Sequence, residues 1–163
     1  MSSIRVEVTG DNRRLLKKLG LLSGVDKRGI SSALAEGIRT STITRFRTER
    51  DPEGKKWKAS IRAMDKGGKT LTDTSKLKTS IRAKASADGF AVGTNDIRAA
   101  TLQFGDERVI RARRGPVLRF QINGKWVSAK QVHVKIVSRP FLGISEDDEK
   151  EIKETLEAAL EEN

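Results

Sequence analysis

The stretch "SRPFLGISEDDEKE", Ser138 to Glu151, turns the chain at Pro140 and Gly143 and then enters an acidic segment. Proline and glycine punctuate local structure, and the apolar pair Phe141-Leu142 between them is expected to anchor the bend. Ser145 stands as an N-cap with Asp148 three residues on, close to a capping box, so a helix is predicted from this point. Ile152, Leu156, Ala159 and Leu160 then form a narrow apolar stripe along it. Glu146, Asp147, Asp148 and Glu149 suit the positive end of the helix macrodipole, whereas Glu161 and Glu162 oppose its other end.

This acidic helix closes a basic chain. The 163 residues carry a formal charge of +11, yet nine acidic residues against two lysines from Glu146 onward leave −7 there and +18 in the remainder. Such a split suits either a nucleic-acid partner for the basic part or head-to-tail contact between the acid of one subunit and the base of the next. With 36% hydrophobic and 34% charged residues, the core is expected to be modest and supplemented by contacts with other chains. The absence of cysteine excludes a disulfide framework and thiolate metal sites. The segment "MSSIRVEVTG" lacks the apolar core of a signal peptide, and no apolar run reaches the roughly 20 residues of a membrane span. A soluble protein without membrane contact is expected.

Upstream, Ile4, Val6 and Val8 alternate with polar residues as in a half-buried strand, and Asp11 can cap a short helix over Asn12 to Leu22. A longer helix is predicted from Asp26, with Ile30, Leu34 and Ile38 at four-residue spacing and Phe46 near the same face, ending before Pro52. Gly29 and Gly37 inside it point to close packing. Residues 51–72 read as a loop or arm anchored by Trp57, and Thr74 as the N-cap of a segment bearing Leu77 and Ile81. Asp88-Gly89 predicts a hairpin between strands near Ser80–Ala85 and Phe90–Gly93, and Asn123-Gly124 one joining Val117–Ile122 to Trp126-Val127. Asp96 can cap a short helix that ends at Gly105, and Val132, Val134 and Ile136 mark a last strand. The expected fold is a single α+β domain over 1–163. A small antiparallel or mixed sheet packs on one long helix and the C-terminal helix, with loop or arm segments near 51–72 and 105–131.

Catalytic constellations are weak. His133, the only histidine, alternates with Val132 and Val134 as an outward strand residue would. Glu53-Gly54-Lys55 has the Glu-x-Lys form of a metal-dependent nuclease, but it sits in a glycine-flanked loop and is a common tripeptide. Asp51 and Glu53 lack the later glutamate of a calcium loop. "EDDEKE" has neither histidine nor a second carboxylate-bearing helix and reads as a cap or partner contact. No catalytic residue, cofactor or metal site is expected. The four arginines Arg108, Arg111, Arg113 and Arg114 form a candidate surface for DNA phosphates or an acidic partner.

Four blocks in order, "RFRTERDPEGKKWKAS", "LTDTSKLKTSI", "VGTNDIRAATLQFG" and "SRPFLGIS", resemble the phage virion morphogenesis family, which includes tail completion proteins of Mu-like phages. Arg45, Phe46, Asp51, Pro52, Gly54 and Trp57 match its first motif, and Leu71, Asp73, Thr74, Leu77, Ser80 and Ile81 its second. Ser75 replaces a glycine there. Val92 to Asn95 and Gln103 to Gly105 match the third, with Arg98 and Leu102 where an aromatic and a histidine usually fall, and Arg139 to Gly143 match the last.

The resemblance implies a non-enzymatic structural protein of the head–tail junction or upper tail. Such a protein is expected in the virion, and in the host cytoplasm during assembly. By analogy with tail symmetry it forms a ring, as a hexamer. Its partners would be copies of itself, neighbouring neck and tail-tube proteins, and channel DNA bound non-specifically. Trp57, Arg139, Phe141, Asp147 and Glu151 are the expected inter-subunit contacts. The alternative is a stand-alone, non-specific nucleic-acid-binding protein.

Overall fold

The structure, a computed structural model, describes residues 4–6, 26–122 and 124–161. The predicted helix over Asn12 to Leu22 and the strand residue Val8 lie outside them.

The long helix, α1 (Lys27–Thr48), starts where Asp26 accepts a hydrogen bond from the Gly29 amide at 2.9 Å. Leu34, Ile38, Thr42 and Phe46 recur every fourth residue, and all four are buried on one face. That face lies on strands β2 (Arg82–Ser86) and β3 (Gly89–Thr94). With β1 (Ile4–Val6) they form an antiparallel sheet in the order β1-β3-β2. The β2–β3 connection is Ala87-Asp88, because Ser86 pairs with Gly89, one residue before the predicted dipeptide. On its other side α1 meets the C-terminal helix, α5 (Glu146–Glu161). This is the α+β architecture expected.

Phe46 is at the centre of the core, fully buried, edge-on to Trp57 at 5.6 Å between ring centroids and tilted against Phe141 at 5.3 Å. Segment 51–72 is tied down rather than loose. Asp51 and Lys55 close a tight turn, in which the Asp51 carboxylate accepts from the Lys55 amide at 2.8 Å. Glu49 accepts from the Thr70 amide at 2.7 Å. Between these points a short helix, α2 (Ile61–Lys66), capped by Ser60, was not evident from the sequence.

Residues 105–137 form two successive β-ribbons. Strand β4 (Asp106–Arg111) pairs with β7 (Gln131–Ile136), and β5 (Leu118–Ile122) pairs with β6 (Lys125–Ala129) between them. Among the described elements, neither ribbon makes extensive contact beyond its own two strands, so together they form an arm. The arginine stretch expected in a loop is therefore partly strand: Arg108 and Arg111 belong to β4, and only Arg113 and Arg114 fall in the bend before β5. At the base of the arm Gly105 has φ 78°, and a Cβ there would approach the Ile136 carbonyl oxygen to 2.9 Å. The short helix α4 (Ala99–Phe104) before it begins three residues after Asp96, whose carboxylate accepts from the Arg98 amide and pairs with the Arg98 guanidinium.

The helix α3 (Lys76–Thr79) is flanked by Ser75, not by Thr74 as predicted, and the Ser75 side chain makes no capping bond. Its φ of 54° lies in the left-handed region, where a Cβ costs about 1–2 kcal/mol. The glycine expected at this place from the resemblance fits that backbone. Ser75→Gly is expected to gain about 0.5–1 kcal/mol, net of glycine's larger unfolded-state entropy, and to raise Tm by about 2 °C in a thermal melt.

Candidate interaction surfaces

The Arg-Pro-Phe-Leu-Gly segment lies inside the fold. Arg139, 9% exposed, donates to the carbonyls of Lys58 at 2.7 Å, Val137 at 3.2 Å and Ala59 at 3.4 Å. Burial among these carbonyls holds its pKa below the ordinary arginine value. Trp57 donates its indole N–H to the Pro140 carbonyl at 2.8 Å. Gln103 accepts from the amides of Phe141 and Leu142, both at 3.0 Å, and donates to the Leu142 carbonyl at 2.8 Å.

Trp57, Arg139 and Phe141, expected at contacts between subunits, are thus interior to the chain. An isolated tryptophan among lysines looks like a surface anchor until its partner, 83 residues away, is known. Gln103 was part of a family motif, but its structural role was missed. Its i,i+4 spacing from buried Ala99 was the available signal.

Arg45 completes the hub. It donates to the carbonyls of Phe141 at 3.1 Å and Gly143 at 2.8 Å, to Ser41 Oγ at 3.2 Å, and to Asp148 Oδ2 at 2.5 Å. Asp148 also closes the predicted capping box: its carboxylate accepts from the Ser145 amide at 2.8 Å while Ser145 Oγ accepts from its own amide at 3.2 Å. Burial lowers the Arg45 pKa, and the charge and hydrogen bond of Asp148 oppose that shift. Burial alone would raise the Asp148 pKa, but hydrogen bonds from Ser41 and Ser145 and the charge of Arg45 outweigh it and hold the carboxyl below the usual carboxylate range.

Asp147 and Glu151 face outward beside this pair. They border an open groove of about 710 Å³ with the polar face of α1 and the Asp51–Gly54 turn. Gly37 allows Glu151 to approach α1, since a Cβ there would lie 3.0 Å from Glu151 Oε1. Along α5, Lys150 pairs with Glu154 and Lys153 with Glu157, so Asp147 and Glu151 have no ion-pair partner among the described residues.

All four candidate arginines are exposed. Arg108 pairs with Asp106 at 3.1 Å and Arg111 donates to Gln131 at 3.2 Å, whereas Arg113 and Arg114 have no ion-pair partner among the described residues. On the face of the β4–β7 ribbon that Arg111 shares, opposite to that of Arg108, Glu107 bridges His133 at 3.1 Å and Lys135 at 3.2 Å, which makes His133 a surface strand residue. Glu53 and Lys55 are exposed on their turn. Among the described residues no group of His, Cys, Asp and Glu could hold a metal ion, and no helix is long and apolar enough to cross a membrane.

The arm and its base also expose Trp126 at 68%, Phe104 at 72% and Ile97 at 79%. Sequence reading did not single these out as surface residues. Singly exposed apolar side chains are ordinary on a surface.

The molecule is thus an α+β body from which a basic β-ribbon arm projects, closed at its C-terminal end by an acidic helix. The sequence model of the phage virion morphogenesis family matches residues 9–161. The chain belongs to that family, and its role is in the formation of phage particles. No curated protein and no solved structure matches it.

Asp148→Asn should strand a buried guanidinium and cost about 3–5 kcal/mol at neutral pH. The depressed carboxyl of the native protein contributes stability that is full above the ordinary aspartate range, about pH 4, and is lost as pH falls through its lower folded value. Melts between pH 7 and 2.5 should therefore show a lower Tm for the variant and a flatter acid limb.

Proposed function

We propose that this chain is a non-catalytic structural subunit of the head–tail junction or upper tail end, acting in tail completion and head–tail joining. Copies close into a ring, a hexamer by tail symmetry, around the channel through which the genome passes. Its neighbours are the neck and tail-tube proteins, and its place is the virion, reached from the host cytoplasm during assembly.

The observation that carries this reading is the exposed arm, Asp106 to Val137, which is basic and carries apolar side chains that the described fold leaves uncovered. Family membership supports it independently. Arg113 and Arg114, exposed and without ion-pair partners among the described residues, suit contact with an anionic partner, either an acidic protein surface or DNA phosphates. Contact with phosphates weakens steeply with salt and reads no sequence.

Native mass spectrometry should give a closed ring, with six copies expected, and labelled antibody should mark the head–tail junction of negatively stained particles. A phage lacking the protein should accumulate unjoined heads and tails. Absence from particles together with a monomer under all conditions would overturn this reading. Salt-sensitive retention of DNA by a protein absent from particles would favour the stand-alone nucleic-acid-binding reading instead.

A further inference from the structure

We infer that the arm of one copy docks on the acidic C-terminal helix of a neighbouring copy, a single head-to-tail contact repeated around the assembly. The inference rests on the self-association proposed above and names the two surfaces that make it.

The β5–β6 register puts Leu118 opposite Ala129, Phe120 opposite Val127 and Ile122 opposite Lys125. Directly paired residues share a face, so five of these six side chains make one side of the ribbon apolar. Ile122 is 52% exposed and Val127 36%. A lone two-stranded ribbon is marginal in water and gains stability when its apolar face is covered. No other described element covers it extensively.

Charge selects the occupant. From Asp106 to Val137 the arm has eight basic residues against two acidic, a net of +6. Helix α5, Glu146 to Glu161, has eight acidic against two basic, a net of −6. Both its lysines are engaged within the helix, and Asp148 is held by Arg45. Glu146, Asp147, Glu149 and Glu151 therefore present uncompensated negative charge.

The segment Asn12 to Leu22, also apolar, has four basic residues and no acidic one, so like charge disfavours it as cover for the arm. DNA has the complementary charge as well and is the competing occupant, which loss of DNA retention in variants that keep the native oligomer would reveal. Because arm and helix are different surfaces of the same chain, their contact is heterologous and propagates from copy to copy until the rotation closes it into a ring.

The test mixes unlabelled and nitrogen-15-labelled protein, joins carboxylates to lysines with a zero-length carbodiimide, and identifies cross-links by mass spectrometry. Mixed-isotope peptides should connect Lys125 or Lys130 to carboxylates of α5. Arg113→Glu with Arg114→Glu, and separately Asp147→Lys with Glu151→Lys, should each weaken assembly about tenfold or more at low salt. A one-to-one mixture of the two variants should restore it, since a reversed arm then meets a reversed helix and a native arm a native helix. That restoration also shows each variant to be folded.

Native rings with cross-links confined to other surfaces, or variants that assemble as the native protein does, would overturn the arm contact and leave the ring standing. Variants that keep the native oligomer but lose retention of DNA would overturn it in favour of an arm on DNA. A native protein that never self-associates, in solution or in particles, would remove both readings.

Discussion

The buried pair of Arg45 and Asp148 organises the rest of the molecule. Its partners are 103 residues apart, and each is committed to further bonds. Arg45 holds the carbonyls of the Phe141–Gly143 turn, and Asp148 starts α5 through its capping box with Ser145. An unpaired charge at this depth would be strongly destabilising, so the long helix, the turn and the final helix have one shared arrangement that satisfies both groups. Around this pair Gln103, Trp57 and the carbonyls that receive Arg139 saturate the polar groups of the same turn. Phe141 is thereby delivered against Phe46, at the centre of the apolar core.

That economy inside leaves a different surface outside. The core is small for 163 residues, and much of the remaining apolar area is carried by the arm and by α4 rather than by the sheet and α1. Burial of such area stabilises in proportion to the surface removed from water. An element that retains so much of it in the isolated chain therefore gains stability on association. In the proposed contact the charge separation acts in the same direction, since a positive arm and a negative helix attract and steer encounter at low ionic strength.

Much of this was legible from local chemistry. The four-residue spacing from Leu34 to Phe46, the alternation from Val132 to Ile136, the Ser145–Asp148 capping box and the turn glycines at 105 and 124 each rest on interactions between near neighbours. Such interactions depend on spacing and can be read without a partner. The acid of α5 and the base of the arm were equally plain from composition, as was the departure of Ser75 from a glycine motif. The reason for that glycine, a left-handed backbone, appeared only with the coordinates.

Long-range pairing could not be read in this way. Trp57, Arg139 and Phe141 have the residue types of contact anchors, and nothing within a few positions reveals that Pro140, Lys58 and Phe46 enclose them. Their burial depends on chain segments 80 or more residues apart converging. The arginine stretch looked like a loop because its register partner, β7, begins 20 residues after Arg111. The sequence by itself determined the helices, the turns and the sign of the charge along the chain, because backbone preference and side-chain spacing act locally. Tertiary structure alone decided which polar groups would be buried and which apolar ones left outside, because burial depends on where distant segments meet.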